Sequence, residues 1–284
     1  MSASKEKIQA VPTNIITGFL GVGKTSAIIH LLKHKPENER WAILVNEFGE
    51  IGVDGSLLEG LPTKGKKVFI REVPGGCMCC ASGLPMQIAL NMLLREARPD
   101  RLLIEPTGLG HPIEVLQLLS NHYYRDVLQL QKTLTLVDPR MLSDKRFTNH
   151  VTFNQQIAIA DIVVANKTDL YGDLYKHALV KYLSSQGHKE DNLYFTIQGE
   201  IELNWLDDAT KYISEPHSHH HKPSSSQDVN TQEFPESGII KAVNQGEGFI
   251  SVGWRFSPEH IFDHQRLREF FLSIKAIRVK AVFI

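Results

Sequence analysis

Short apolar, β-branched segments alternate with longer amphipathic segments along the first two thirds of the chain. The apolar segments predict buried strands at 14–17, 41–45, 67–72, 101–104, 133–137 and 161–165. The amphipathic segments predict helices at 25–35, 85–98, 113–120 and 153–160. Alternation of this kind predicts an α/β fold, in which a mostly parallel sheet carries helices on both faces. Such sheets bind ligands at the carboxyl ends of their strands.

The pattern changes after residue 214, where a stretch rich in Ser, Pro and His has no apolar periodicity and reads as a linker. Beyond it, 239–256 alternates as antiparallel strands do, 258–274 has the pattern of an amphipathic helix, and 276–284 is again strand-like. The predicted divisions are an α/β domain at 1–214, a linker at 215–236 and a smaller α+β domain at 237–284. Because the chain stops on apolar residues, we expect either a longer natural protein or a last strand that ends within a sheet.

Charge and composition narrow the classes of partner. The formal net charge is −1 and the pI is about 6.9, so the sequence offers no basic face for nucleic acid or an anionic membrane. No segment approaches the roughly 18 apolar residues of a membrane span, and the first residues are too polar for a signal peptide. We therefore expect a cytoplasmic protein with neither nucleic acid nor membrane as a main partner.

The sequence G-F-L-G-V-G-K-T at 18–25 follows the first predicted strand and opens the first predicted helix. In that context it predicts a phosphate-binding loop, whose backbone N–H groups and helix N-terminus face phosphate oxygens. Lys24 is expected to reach the β and γ phosphates, and the Thr25 hydroxyl to ligate Mg²⁺. A glycine-rich turn that merely caps a helix leaves this lysine and threonine unexplained. The predicted nucleotide contacts of the segment are Gly18, Gly21, Val22, Gly23, Lys24, Thr25 and Ser26.

The sequence N-K-T-D at 166–169 comes directly after the last strand of the predicted sheet and indicates guanine as the base. The Asp169 carboxylate can accept two N–H bonds from guanine, whereas adenine would present an acceptor and a C–H there. Loss of such a pair of bonds costs about 10⁴ to 10⁵ in discrimination. Asn166 is expected to contact the purine and tie back to the phosphate loop, while the Lys167 stem packs on the base. The alternative is a polar turn after a strand, where Asn and Asp are common.

Two further loops carry carboxylates toward the predicted phosphate site. N-E-F-G-E-I-G-V-D at 46–54 leaves the second strand, and within it Asp54 is a candidate for a magnesium contact. E-P-T-G at 105–108 ends the fourth strand, where we expect Glu105 to act as the acidic magnesium-side residue and the Gly108 N–H to meet the γ-phosphate. Glu47 and Glu105 are the candidates for orienting the attacking water. The alternative for these carboxylates is a solvated loop.

All three cysteines of the chain, Cys77, Cys79 and Cys80, lie within G-G-C-M-C-C at 75–80. An odd number in one short segment of a cytoplasmic protein favours metal or redox chemistry over a disulfide framework. Three thiolates can converge on one soft cation such as Zn²⁺ or Cu⁺, with Glu47, His111 or solvent as the fourth ligand. The alternatives are buried cysteines used for packing and a redox pair.

These motifs together resemble the CobW family of metal-handling GTPases, and within it the zinc-binding YeiR-type subgroup. The resemblance covers residues 14–169 motif by motif, and the linker with the C-terminal segment is similar in arrangement to the family's C-terminal domain. It implies the P-loop NTPase fold, Zn²⁺ on Cys77, Cys79 and Cys80, Mg²⁺ and GTP at the nucleotide motifs, and slow GTP hydrolysis coupled to metal delivery to a client metalloprotein. The length of the chain after the linker is the main departure from the family.

Three other functions remain open at this point. The first is a metal buffer or sensor in which nucleotide only stabilises the fold, and the second is a cobalt or iron insertase, as in some relatives of the family. The third is a small-molecule kinase, against which the N-K-T-D motif counts. The client, the metal used in the cell and the oligomeric state do not follow from the sequence, although an oligomer is compatible with it.

Overall fold

The computed structural model describes residues 7–46, 67–73, 84–212, 235, 237–246 and 249–275. Strands of the main sheet are β1 Val11–Gly18, β2 Trp41–Asn46, β3 Val68–Val73, β4 Arg101–Glu105, β5 Leu128–Leu130, β6 Leu134–Val137, β7 Ile162–Ala165 and β8 Leu193–Phe195. Helices between them are α1 Lys24–His34, α2 Leu84–Ala97, α3 Pro112–Leu119, α4 Lys145–Thr148, α5 Val151–Ala158 and α6 Asp173–Ser185. Short 3₁₀ helices lie at Pro139–Ser143, Thr168–Leu170, Glu190–Asn192 and Leu203–Leu206.

The main sheet is parallel at every pairing between its described strands, in the order β3-β2-β4-β1-β6-β7-β8. Strand β1 is central, and one of its edges pairs first with β5 and then with β6. Because parallel strands all end at the same edge, β1, β4, β6 and β7 deliver the segments that follow them to one side of the sheet.

Apolar side chains cover both faces of this sheet, as expected where helices pack on each side. Successive residues of β1 point to opposite faces, so Ile15 and Ile16 belong to separate clusters. One cluster is built with residues of α1, α5 and α6, and the other with residues of α2 and α3. The predicted α/β fold is thus confirmed.

Each of the six predicted strands and four predicted helices is present, with ends that differ by at most three residues. The sequence analysis missed β5 and β8, which are three residues each, and also α4 and α6. The two strands are too short to show a period, and α6 has an exposed, polar surface that hides its apolar stripe.

A second, two-stranded antiparallel sheet follows the linker region, with β9 Ile239–Gly246 paired to β10 Phe249–Phe256. The helix α7 His264–Ser273 begins later than the predicted 258, because Asp263 caps it by accepting a bond from the Arg266 N–H at 2.8 Å. No described helix is long and apolar enough to cross a membrane. The strand predicted at 276–284 and the predicted linker, apart from residue 235, lie outside the described residues, and the predicted domain boundaries stay predictions.

Candidate functional site

The loop between β1 and α1 has the backbone that a phosphate-binding loop requires. Gly21 and Gly23 have φ angles of 74° and 105°, in the left-handed region that glycine adopts without strain. A Cβ on Gly23 would stand 2.4 Å from the side-chain nitrogen of Asn166, so a larger residue is excluded by contact as well as by φ. Among the described residues no side chain caps the start of α1, which is the arrangement that suits an anion there.

Lys24 and Thr25 begin α1 and are almost entirely buried, at 5% and 8% exposure. The Lys24 ammonium donates to the carbonyl oxygen of Phe19 within the loop at 3.2 Å. The Thr25 hydroxyl donates to Oε1 of Glu105, at the end of β4, at 3.2 Å. Glu105 is itself 3% exposed, so a hydroxyl and a carboxylate oxygen meet at a buried position beside the loop. Hard oxygen donors of this kind are the ligands that Mg²⁺ prefers, and the two residues fit that ion.

Asn166 joins three segments of the chain. Its side-chain amide donates to the carbonyl oxygen of Val22 in the phosphate loop at 2.8 Å. Its side-chain oxygen accepts from the N–H of Gly199, after β8, at 3.0 Å. The predicted tie from Asn166 back to the phosphate loop is therefore present. Gly199 has a φ of 75°, and a Cβ there would meet the backbone of Ala27 at 2.6 Å, so this segment lies directly against α1.

Lys167 and Asp169 follow Asn166 on the surface of the same edge. Lys167 has a φ of 64°, and its ammonium lies 3.3 Å from Oδ2 of Asp138, the residue after β6. Asp138 also receives a two-pronged contact from Arg140, at 2.9 Å from Nε and 2.6 Å from the terminal nitrogen. Burial alone would raise the pKa of Asp138, but the Arg140 hydrogen bonds and the charges of Lys167 and Arg140 hold it below the usual 3.8.

Gly108 is placed by close packing on the phosphate loop. A Cβ on Gly108 would meet the backbone nitrogen of Leu20 at 2.8 Å. From the other side, the buried Gln156 of α5 donates to the Gly108 carbonyl oxygen at 3.0 Å. The neighbouring Gln155 contacts Nδ1 of His111, the residue that precedes α3, at 3.0 Å. The loop after β4 is thus held between the phosphate loop and α5.

A groove of about 710 Å³ opens beside the 166–169 segment and continues along α1. Its walls include Thr168 next to Asp169, Thr196 and Ile197 after β8, and His30 and His34 on α1. Main-chain hydrogen bonds fix the wall that contains Thr168 and Thr196. The Thr196 N–H donates to the Ala165 carbonyl oxygen at 2.9 Å, and the Thr168 N–H donates to the Thr196 carbonyl oxygen at 3.1 Å.

The structure brings most of the predicted site residues to one edge of the sheet. The residues that meet there are Gly18, Gly21, Val22, Gly23, Lys24, Thr25, Ser26, Glu105, Gly108, Asn166, Lys167 and Asp169. Outside the described residues lie Glu47, Asp54, Cys77, Cys79 and Cys80. Within the described ranges, no three His, Cys, Asp or Glu side chains come together as a metal site.

Sequence reasoning missed three residues that support this edge. Asp138 had a usable signal, because an acidic residue follows a predicted strand at the ligand-binding edge. Gly199 follows β8, which was itself missed, so no pattern pointed to it. Gln156 lies within an amphipathic helix, where a polar residue gives no indication that it faces inward.

The sequence pattern that defines the CobW/HypB/UreG nucleotide-binding domain matches residues 12–193. The zinc chaperone YeiR of Escherichia coli strain K12 is 42% identical over 276 residues, which are 95% of this chain and 82% of that protein. The zinc chaperone CobW of Sinorhizobium sp is 29% identical over 71% of this chain and 63% of its own length. The zinc-regulated GTPase metalloprotein activator 1 of Schizosaccharomyces pombe is 34% identical over 57% of this chain and 40% of its own length.

Proposed function

The chain belongs to the CobW/HypB/UreG family of nucleotide-binding proteins, and on that premise we propose that it is a zinc-binding GTPase that delivers metal to a client protein. The observation that carries the nucleotide part is a pair of hydrogen bonds at Asn166, which donates to the Val22 carbonyl oxygen and accepts from the Gly199 N–H. The bond to Val22 joins the phosphate-binding loop at 18–25 to the 166–169 segment, which is proposed to bind the base. A nucleotide is the ligand that needs both segments at once. The zinc part draws on the relatives, among which the 42% identical YeiR is a zinc chaperone.

The nucleotide is proposed to lie across the carboxyl edge of β1, β4 and β7. Its phosphates would meet the backbone of 18–25 and the Lys24 ammonium, which donates within the loop and would turn to the β and γ phosphates. Its base would meet Asn166 and Asp169, with the Lys167 stem against the ring. Asp169 is exposed at the rim of this edge, where an incoming base can reach it.

Mg²⁺ is proposed to be held by the Thr25 hydroxyl with Glu105 beside it, and it would neutralise negative charge on the phosphate oxygens. The contact between Thr25 and Glu105 supports a role for Glu105 beside the magnesium ion rather than one in orienting the attacking water. Gly108 is proposed to offer its N–H to the γ-phosphate, and its close packing on the Leu20 backbone of the phosphate loop supports this. Transfer of a phosphoryl group to water requires such positioning more than covalent chemistry, which accords with slow hydrolysis.

Zinc is proposed to be the cargo, bound by Cys77, Cys79 and Cys80. The strand before this cluster, β3, is paired with β2 so that Val73 lies opposite Asn46, and β2 in turn pairs with β4 up to Glu105. The chain therefore enters the cysteine segment from the edge of the sheet that carries the magnesium-side residues. Coupling between two such sites is reciprocal and is typically worth about 1–3 kcal/mol, or roughly 5- to 150-fold in affinity. That range biases a handover to a client metalloprotein, and the cytoplasm is the proposed location of this protein.

The test is a zinc titration of metal-free protein with GDP and then with a non-hydrolysable GTP analogue. Wild type should bind zinc with affinities that differ at least about fivefold between the two nucleotides. Cys77→Ala and Cys79→Ala should lose zinc affinity yet keep GDP affinity, which separates the two sites. The GTPase rate is recorded at each zinc concentration.

Equal zinc affinities in both nucleotide states, with no zinc effect on turnover, would reduce the protein to a metal buffer whose nucleotide is structural. Zinc affinity that survives both cysteine substitutions would remove the proposed metal site itself. Tighter binding of Co²⁺ or Fe²⁺ than of Zn²⁺ would change the cargo and leave the coupling in place.

A further inference from the structure

Two aspartates in the segment after β6 make the same local contacts in different surroundings. Asp138 accepts from the backbone N–H and the guanidinium of Arg140, two residues on. Asp144 accepts in the same way from the backbone N–H and the guanidinium of Arg146. Each aspartate caps the short helix that it precedes. The two therefore form a natural pair for comparison.

The difference between them is burial and a third partner. The Asp144 side chain is 31% exposed, whereas that of Asp138 is only 4% exposed. A buried carboxylate costs free energy that a helix cap does not require, as Asp144 demonstrates by capping from the surface. Asp138 differs from Asp144 in a further ion pair with Lys167, whose ammonium lies 3.3 Å from Oδ2 of Asp138.

Lys167 belongs to the segment that is proposed to bind the base, and the register of the sheet explains how Asp138 reaches it. Strands β6 and β7 are parallel neighbours with Val137 opposite Ala165, so both leave the sheet at the same level. The Asn166 N–H donates to the carbonyl of Val137 at 2.9 Å, which fixes the two outgoing segments side by side. Asp138 and Lys167 are therefore held together by main-chain bonds, rather than by a chance meeting of long side chains.

The surrounding charges suggest what this contact prevents. The Asp138 hydrogen bond, and then the charges of Asp138 and Asp169, raise the pKa of Arg140, so two cations and two anions lie near one another here. If Asp138 were neutral, Arg140 and Lys167 would have Asp169 as an alternative partner. A cation on Asp169 would occupy the oxygens that are expected to accept the N–H groups of guanine.

We propose that Asp138 is a positioning residue for guanine recognition, which draws Lys167 and Arg140 toward itself and thereby keeps the Asp169 carboxylate available to the base. The proposal rests on the proposed function, in that the 166–169 segment is taken to bind guanine. Asp138 acts through Lys167 and Arg140 and makes no contact with the nucleotide in this role.

Asp138→Asn tests the proposal, because asparagine still caps a helix but carries no charge. We expect the Kd for GDP to rise about tenfold, the size expected when a hydrogen bond to a charged group is lost. The kcat for GTP should stay within about twofold, since the phosphate loop is untouched. Asp144→Asn, the matched control, should leave both values unchanged. Asp138→Glu restores the charge and should recover most of the affinity.

Two further readouts separate positioning from a purely structural role. Inosine diphosphate lacks the exocyclic amine of guanine, so the preference for GDP over it should shrink in Asp138→Asn as Asp169 becomes occupied. In a Lys167→Met background, which keeps a stem but no charge, Asp138→Asn should raise the Kd by a smaller factor than in wild type, with the remaining effect due to Arg140. An equal loss in both backgrounds, or an unchanged Kd in Asp138→Asn, would overturn the proposal.

Asp169→Asn distinguishes failure of the inference from failure of the proposed function. An asparagine amide would donate to the extra carbonyl of xanthine, so this variant should lose GDP affinity and gain xanthosine diphosphate affinity. If Asp169→Asn changes neither affinity, the base lies elsewhere and the proposed function fails at this site. If Asp169→Asn behaves as expected while Asp138→Asn binds GDP normally, only the role of Asp138 is refuted.

Discussion

Gln156 of α5 donates its side-chain amide to the carbonyl oxygen of Gly108 at 3.0 Å, with both residues buried. Gly108 in turn lies against the backbone of Leu20 in the phosphate loop. Helix α5 also supports that loop more directly, since the ring of Phe19 packs edge to face on Phe153 at 5.9 Å. The loop that is proposed to sense the γ-phosphate is therefore attached to the last helix before β7.

Replacing Gln156 by Ala should lower the free energy of unfolding by about 1–3 kcal/mol, because the buried Gly108 carbonyl loses a donor. Gln155→Ala is the matched control, an identical change at the next position, where the bond to His111 is only partly buried. It should cost about 1 kcal/mol or less. Urea unfolding of nucleotide-free protein measures both values. Equal losses would mean that the Gln156 contact has no special energetic role.

Gly23→Ala should abolish GDP binding and destabilise the fold by more than its backbone angle alone requires. Its new Cβ would stand 2.4 Å from the Asn166 amide and would break the link to Val22. Gly187 also has a positive φ, of 85°, but its Cβ would meet nothing within 4 Å. Gly187→Ala therefore isolates the backbone cost, about 1–2 kcal/mol, with GDP affinity unchanged. Calorimetric GDP titration and urea unfolding of both variants give the comparison, and intact GDP binding in Gly23→Ala would contradict the expected clash.

Glu105→Gln should raise the Mg²⁺ concentration needed for half-maximal GTPase activity by about tenfold, since a charged oxygen beside Thr25 becomes neutral. GDP binding in the presence of a chelator should stay the same, because no phosphate contact is changed. Thr25→Ser retains the hydroxyl and is the conservative comparison, with a smaller shift expected. A Glu105→Gln enzyme with normal Mg²⁺ dependence and low kcat would instead return Glu105 to a role at the attacking water.

The stability of the protein should fall as the pH drops through the mid-6 range, in part because of His30. Burial, and then the neighbouring charge of His34, lower the pKa of His30 below the usual 6.5. The unfolded chain therefore takes up a proton first, and the folded state loses stability from about pH 6.5 downward. His30→Gln should remove this contribution, so its stability relative to wild type should be higher at pH 5.5 than at pH 8.

A variant that also lacks His34 tests whether the charge of His34 contributes to the lowered pKa of His30. The rings of His30 and His34 are stacked at 4.2 Å, so two protonated rings would repel each other. In a His34→Gln background, the pH-dependent gain from His30→Gln should be smaller. A gain of the same size would leave burial and the charge of Lys33 as the causes of the lowered pKa of His30.

The sequence is sufficient for the parts of the site that lie on consecutive residues. The phosphate loop and the 166–169 segment each follow a buried strand, and their spacing encodes their chemistry, so Lys24, Thr25 and Asn166 can be identified together with the edge they share. The tie from Asn166 to the phosphate loop is also predictable, because both segments leave strands of one parallel sheet at the same edge.

Other contacts between distant segments could not be predicted from the sequence. Strands too short to show an alternating apolar pattern could not be predicted either. Gln156 and Gly108 are 48 positions apart, and nothing local distinguishes an inward-facing glutamine from a solvated one. Strand β8 has three residues, Leu193–Phe195, too few to show alternation, so Gly199 after it has no recognisable context. The sequence puts Asp138 directly after a predicted strand at the ligand-binding edge, but only the structure reveals its burial and its contact with Lys167.

The position of Asn166 between Val22 and Gly199 has a consequence for the lifetime of a bound nucleotide. Because Gly199 is also pressed against Ala27, the phosphate and base segments form one unit that does not separate without losing these contacts. A nucleotide held by both segments, as proposed, would therefore be released without their separation. Displacement of the Asn166 side chain would remove the contacts with Val22 and Gly199 at once.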